Sequence, residues 1–527
     1  MKFLGKWLAG KNDDPARAAA DAVARAFSLC EAGELAQAEG ICQDILRKHP
    51  GHPGALHCLG VLALRGDRVA DAVALLQQAI EKDNANTQVR YDLAEAYRLD
   101  RRWEDACMVY RLLIAARPEV VEVRIGLAEC LSSLRKFPEA RELCEAVLAA
   151  VRDHRRALML AADLALADQA PQGSEAALRA ALLRSEDDES LLLGLAKVLV
   201  SVDKVEEAAP MLRRVLVAGR DNAHYALICL VASAVRQNLP SLSPASGASL
   251  EAGDAAGTRH DGPLISVIIC SIDSAKFASV KQHYAELLAG ERHEIIGIHD
   301  ARSLCEAYNR GARQAAGEII VFSHDDIEIL TPDFAARLKR HLAVHHVVGP
   351  CGTSRLVAGH WMTAGWPFLH GLVAHQFRED FEDPKMAGKY RVMVLDTSDE
   401  DCTGMMQGLD GMFIAARREV VERCPFDERF DGFHLYDLDF SFSAHLAGFD
   451  VGVFRDITMI HYTNATASGY EEAFVRYRDL FEEKYSDELL PRTLDGRRFL
   501  PAVFDDKAQV ARFCGELLAF RRSVLPG

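Results

Sequence analysis

AGEIIVFSHDD, residues 316–326, is the stretch that decides how the second half of the chain folds. Ala316-Gly317 is a small-residue turn, and Glu318 to Ser323 is a short apolar, β-branched run. Such a run is expected of a strand buried on both faces. It ends on His324-Asp325-Asp326. Upstream, Leu264 to Cys270 (LISVIIC) has the same character, followed by a helix near Lys281 to Ala289 and a second strand at Glu294 to His299. Ser303 and Glu306 stand at capping-box spacing and open a helix to about Ala316. Downstream, Thr331-Pro332 predicts another helix, with Thr as N-cap and Pro in its first turn. This alternation predicts a doubly wound sheet whose ligands bind at the C-terminal strand ends. Two acids at such an end suit a hard divalent cation that must also hold a diphosphate. Taken alone the pair is weak, because aspartates there are commonly turn formers or helix caps.

Two wider blocks give the pair its context. Leu409-Asp410-Gly411-Met412-Phe413-Ile414-Ala415-Ala416-Arg417-Arg418 is followed by Phe426-Asp427-Glu428, and Phe433-His434-Leu435-Tyr436-Asp437-Leu438-Asp439-Phe440 closes with Ala447-Gly448-Phe449. Together with Tyr308-Asn309-Arg310-Gly311 and residues 316–326, they resemble the family-2 inverting glycosyltransferases of the GT-A fold over about 263–485. The resemblance implies a Rossmann-like, mostly parallel sheet and a nucleotide-diphosphate sugar donor. It implies Asp326 as metal ligand, with Asp325 on the metal or the ribose and His461 as a further metal or phosphate contact. Mn²⁺ or Mg²⁺ is the implied ion. Asp437 matches the general base, and Asp439 either orients the acceptor or is merely a charge at a helix start. Ser271, Asp273, His299, Asp300, Asn309, Asp325, Asp410 and Gly411 fall where the family binds the donor. Two positions depart from the family pattern: His324 replaces the first acid of D-x-D, and Tyr436 the glutamate before the base.

The first half is a repeat array of period 34. Taking position 1 at Ala19, position 8 gives Ala26, Gly60, Ala94, Ala128, Ala162 and Ala196, and position 20 gives Ala38, Ala72, Ala106, Ala140, Ser174 and Ala208. Position 24 gives Cys42, Leu76, Tyr110, Cys144, Leu178 and Leu212. Small residues let paired helices approach, and the larger column fills the space between pairs. Gly33 and Gly66 mark turns inside pairs, and Pro50 and Pro118 mark repeat ends. The pattern resembles the tetratricopeptide repeat in six copies over about 19–222, weakest at Gln169 to Ser174, with an apolar capping helix at about His224 to Leu239. The resemblance implies a superhelix whose concave groove binds a peptide, a protein partner or another copy.

The expected organisation is an N-terminal segment at 1–18, repeats and cap at 19–240, a flexible linker at 241–262, a GT-A domain at 263–490 and a helical extension at 491–527. A net charge of −16 without a basic block argues against nucleic acid as a partner. No apolar run is long enough to span a bilayer, and Met1 to Gly10 lacks the features of a signal peptide. The 13 scattered cysteines never form C-x-x-C, which fits reduced thiols and a cytoplasmic protein. The alternative is peripheral attachment to the inner face of the membrane. His341, His345 and His346 read as a solvated helix face, and Trp361 to Phe368 as either a sugar platform or a packed loop. The helix near Lys507 to Arg522 either touches membrane or packs on the domain.

The expected function is metal-dependent, inverting transfer of a sugar to an acceptor hydroxyl on a protein or glycan. Its rival is a non-catalytic repeat scaffold with a degenerate nucleotide-binding domain, motivated by His324 and Tyr436. A nucleotidyltransferase ranks lower, because Ser271-Ile272-Asp273-Ser274 is not the glycine-rich, basic loop that class places after its first strand.

Overall fold

The computed structural model describes residues 15–66, 68–167, 172–217, 223–242, 262–365, 367–376, 386–462, 470–490 and 502–524. Most of the expected linker therefore lies outside the described residues, as do positions 1–14. The chain forms two compact units, Met1–Ser201 and Val202–Gly527. The division falls inside the sixth repeat, upstream of the linker read from the sequence.

The first unit is helical: α1 (Pro15–Glu31), α2 (Leu35–Lys48), α3 (Pro53–Arg65), α4 (Val69–Lys82), α5 (Thr87–Leu99), α6 (Trp103–Ala116), α7 (Val121–Ser133), α8 (Phe137–Ala150), α9 (Arg155–Ala167), α10 (Gln172–Leu182) and α11 (Glu189–Ser201). The repeat columns are its core. Ala26, Ala94, Ala128 and Ala162 at position 8, and Ala38, Ala72, Ala106 and Ala140 at position 20, are inaccessible to solvent. Cys42, Leu76, Tyr110 and Leu178 of the larger column are equally buried. A Cβ on Gly60 would sit 2.7 Å from Leu76 Cγ, which shows why position 8 must be small. The turn inside the helix pair needs a left-handed residue: Gly33 has φ +83°, and Arg101 and Arg135, at the equivalent place, have φ +59° and +60°. Gly66 ends α3 with an ordinary φ of −90°. Half-buried ion pairs link α5, α7 and α9, with Arg98 on Glu129 at 3.6 Å and Arg156 on Glu129 at 2.7 Å.

The second unit opens with α12 (Val205–Val217) and α13 (Ala223–Arg236). Its main sheet runs β2-β1-β3-β11-β5-β12-β9, built from β1 (Ile265–Cys270), β2 (His293–Ile298), β3 (Ile319–Ser323), β5 (Val347–Gly349), β9 (Cys402–Thr403), β11 (Phe413–Arg417) and β12 (Val451–Phe454). A second sheet runs β10-β6-β7-β13-β4, from β4 (Ile327–Ile329), β6 (Cys351–Thr353), β7 (Leu369–Gln376), β10 (Gly408–Leu409) and β13 (Met459–His461). Onto β7 are added β8 (Tyr390–Val394) and β14 (Ala502–Phe504). The helices are α14 (Ser274–Leu287), α15 (Leu304–Gln314), α16 (Phe334–Val344), α17 (Arg418–Arg423), α18 (Tyr436–Leu446), α19 (Tyr470–Lys484) and α20 (Lys507–Val524).

The three strands read from the sequence are present, parallel and adjacent. The sheet as a whole is mixed rather than mostly parallel, because β11 is antiparallel to both β3 and β5. The turn before β3 requires its glycine: a Cβ on Gly317 would lie 2.5 Å from the Leu264 carbonyl oxygen. Two helix starts differ from expectation. Asp273 caps α14 through Ala275 N and Lys276 N, so that helix begins well before Lys281. Thr331 does not cap α16, which begins at Phe334; its hydroxyl instead accepts the Thr458 N–H at 2.8 Å. The three histidines around the end of α16 are also not a solvated face. His341 meets Asp456 at 2.7 Å and His345 meets Asp450 at 2.6 Å, partners more than 100 residues away that spacing did not reveal.

Within this unit α13 packs on α12 and also on α20 and β14. Arg213 stacks over Phe520 at 4.3 Å, Arg512 donates to Asn238 at 2.9 Å, and Ser241 reaches Glu516 at 2.7 Å. Both faces of α13 are apolar, and α20 covers the one that α12 leaves open. The amphipathic C-terminal helix is therefore a packing element of this unit. Among the described residues no helix is long and apolar enough to cross a membrane.

Candidate active site

The rim is assembled where the C-terminal ends of β1 and β3 meet the turn before β11 and the start of α18. Antiparallel pairing sets Phe413 opposite Ser323, and His324 N donates to the Met412 carbonyl at 3.1 Å. Ser271, just after β1, donates its hydroxyl to Asp325 at 2.6 Å. His461 ends β13, which pairs with Ile327 of β4 on one side and His375 of β7 on the other. That pairing places His461 Nε2 3.2 Å from Asp326 Oδ1.

His324, Asp326 and His461 each turn a ligand-type atom inward, and these atoms lie within 4.8 Å of one another. Two ring nitrogens and a carboxylate oxygen at this spacing fit a divalent ion. Burial and the neighbouring His461 push His324 down to about 4, so its ring is neutral at pH 7. Burial opposes ionisation of Asp326, but His461 and His324 outweigh it and hold that carboxyl below its usual range. His324 Nε2 lies 2.7 Å from the Tyr436 hydroxyl, which donates to the Gly411 carbonyl at 2.9 Å. A Cβ on Gly411 would lie 2.2 Å from that hydroxyl, so the close approach demands glycine.

Asp437 follows Tyr436 directly. Leu435, which precedes both, is buried in the left-handed region with φ +62°, a conformation that costs a non-glycine residue about 1–2 kcal/mol. This twist starts α18 so that Tyr436 turns to the His324 side while Asp437 lies close against Gly411. Burial and the nearby Asp410 raise the Asp437 carboxyl to about 7, while backbone N–H groups including those of Leu438 and Gly411 pull the other way. A carboxyl poised there is suited to accept a proton at neutral pH.

Other residues singled out from the sequence are engaged elsewhere. Asp273 is the exposed cap of α14, and Asp300, 80% exposed, pairs with Arg310 at 2.7 Å. Asn309 is buried, with its amide bonded to the Phe426 N–H and carbonyl and to Glu428. Asp439 is buried against Lys484 at 2.5 Å and Tyr485 at 2.9 Å. Ser271, Asp325, Asp326, Asp410, Gly411, Asp437 and His461 are brought to the rim. Sequence reasoning missed that His324 is a ligand-type group and Tyr436 its partner, and it missed His375, whose ring lies 5.6 Å from that of His461. The available signal was that both departures from the family pattern occur together, and they turn out to touch.

Residues 266–485 match the family described as glycosyltransferase-like, and residues 98–164 match the tetratricopeptide repeat. No curated protein matches the chain. Similar solved structures include a tetratricopeptide repeat protein from Parabacteroides merdae, 18% identical, covering 42% of this chain and 88% of that one, with a TM-score of 0.36. MamA is 17% identical over 31% of this chain and 94% of its own, with a TM-score of 0.28. YrrB, described as a TPR protein with an unusual peptide-binding site, is 17% identical over 32% and 88%, with a TM-score of 0.29. The chain thus joins tetratricopeptide repeats to a domain of the glycosyltransferase-like family.

Proposed function

We propose that the second unit transfers a sugar, with inversion, from a nucleotide-diphosphate donor to an acceptor hydroxyl. The observation that carries this reading is one rim holding both a metal-ligand cluster and a carboxyl raised to about 7. Asp326 and His461 would hold a divalent ion, with Asp325 steadied beside them by Ser271. When bound, that ion supplies positive charge for the donor diphosphate and the departing nucleotide. Asp437 takes the proton from the acceptor hydroxyl, so that the oxygen attacks the anomeric carbon in line while the nucleotide diphosphate leaves. Burial and Asp410 keep Asp437 basic enough for this, and the Gly411 and Leu438 N–H groups fix its carboxylate. In this reading the repeats hold a protein acceptor or a partner that delivers one, an assignment supported by their architecture.

The test is nucleotide-diphosphate release from a panel of UDP-, GDP- and dTDP-sugars with Mn²⁺, with candidate protein and glycan acceptors added. Release from one donor, abolished by chelator and by Asp326→Ala, is expected. Release that persists undiminished with chelator would exclude the metal, and none from any donor and acceptor combination would return the domain to a scaffold.

A further inference from the structure

The two departures from the family pattern are in direct contact, and the contact has a direction. Tyr436 has one hydroxyl proton and donates it to the Gly411 carbonyl at 2.9 Å. Toward His324 Nε2, at 2.7 Å, it can only accept. Nε2 therefore carries the ring proton, and Nδ1 is left as an acceptor with an unprotonated lone pair. Nδ1 faces His461 Nε2 at 3.2 Å and Asp326 Oδ1 at 3.8 Å. The lone pair is thus aimed into the space that Asp326 and His461 also face.

We infer that His324 is itself a metal ligand through Nδ1 and that Tyr436 is the positioning residue that fixes its tautomer, which makes the site a two-imidazole, one-carboxylate centre. The inference rests on reading this rim as the metal site of the transfer reaction. It changes the class of ion. A site of carboxylates suits Mg²⁺, whereas imidazole nitrogens favour transition ions, with Mn²⁺ at the weak end and Co²⁺ and Zn²⁺ tighter. Partners that orient a ligating histidine typically account for about 10–100-fold in metal affinity. Histidine and tyrosine then form a matched replacement for two acids: one supplies the nitrogen and the other turns it. Gly411 is part of the device, since only glycine lets Tyr436 reach that carbonyl.

The experiment is pulsed electron paramagnetic resonance of the full-length protein loaded with Mn²⁺, alongside Co²⁺ and Mg²⁺ titrations. The wild-type spectrum is expected to show two coupled imidazole nitrogens, falling to one in His324→Gln. Co²⁺ is expected to bind at least tenfold tighter than Mg²⁺, and Tyr436→Phe to weaken Co²⁺ binding about tenfold while the near-ultraviolet dichroism is kept. A single coupled nitrogen in the wild type, with binding still abolished by Asp326→Asn, overturns the inference and leaves metal-dependent transfer standing. Failure of the wild type to bind either Mn²⁺ or Co²⁺ overturns both. The wild-type spectrum decides the nitrogen count without relying on the folding of any variant.

Discussion

Asp437 is where the chemistry and the stability of the domain pull in opposite directions. Burial and Asp410 raise its carboxyl from 3.8 to about 7, so the fold disfavours the charged form that the proposed transfer needs. Protonated Asp437 costs the fold nothing at low pH, and stability is lost as pH rises from about 4 to about 7. Asp437→Asn should therefore melt with the wild type at pH 4 and above it at pH 8, as calorimetry would show. The rate should rise along an acid limb centred near 7. Asp410→Asn, which removes the repelling charge, should move that limb to lower pH in a pH–rate profile. An unmoved limb would separate Asp410 from the base.

Among elements, the left-handed turn inside a helix pair recurs with the repeat, at Gly33, Arg101, Arg135 and Asp203 among the described residues. Gly33 adopts it without strain, whereas Arg135 stands there at φ +60° and is exposed. Arg135→Gly should stabilise the repeats by about 1 kcal/mol in denaturant titration, because the αL penalty disappears and no buried contact is lost. This turn also marks how far the sequence could be read. Columns of Ala, Cys, Leu and Tyr predicted the repeat because helix packing repeats with the chain. The strands at 265–270 and 319–323 were legible because burial on both faces leaves a continuous apolar run, whereas 293–298 is a half-buried edge strand. The antiparallel insertion of β11 was not, since strand direction depends on partners distant in the chain. For the same reason motif blocks could mark Asp325, Asp326, Asp437 and His461 as candidates, which the fold brings to one rim, while the contact of His324 with Tyr436, 112 residues apart, left no sign in the spacing.

On the scale of the whole molecule, the compact units divide at Ser201 and Val202, not at the polar linker around 241–262. The apolar face of α20, with Phe513, Leu517 and Phe520 buried, belongs to a packing layer that includes α12 and α13. A fragment of residues 202–527 should fold and match the full-length protein in a Mn²⁺ titration. A fragment starting at 263 removes α12 and α13 and uncovers that face. It should melt roughly 5 °C or more lower, or aggregate, in a thermal shift comparison. Equal melting of the two fragments would mean that α12 and α13 contribute nothing to the stability of the sheet domain.

The proposed transfer depends most on its base. With the donor identified by nucleotide-diphosphate release, kcat and the donor KM of Asp437→Asn should be set beside those of the wild type. The expected result is a fall in kcat of about 10²–10⁴-fold with the donor KM little changed. A variant that turns over at the wild-type rate would contradict the assignment of Asp437, and with it the mechanism proposed for this rim.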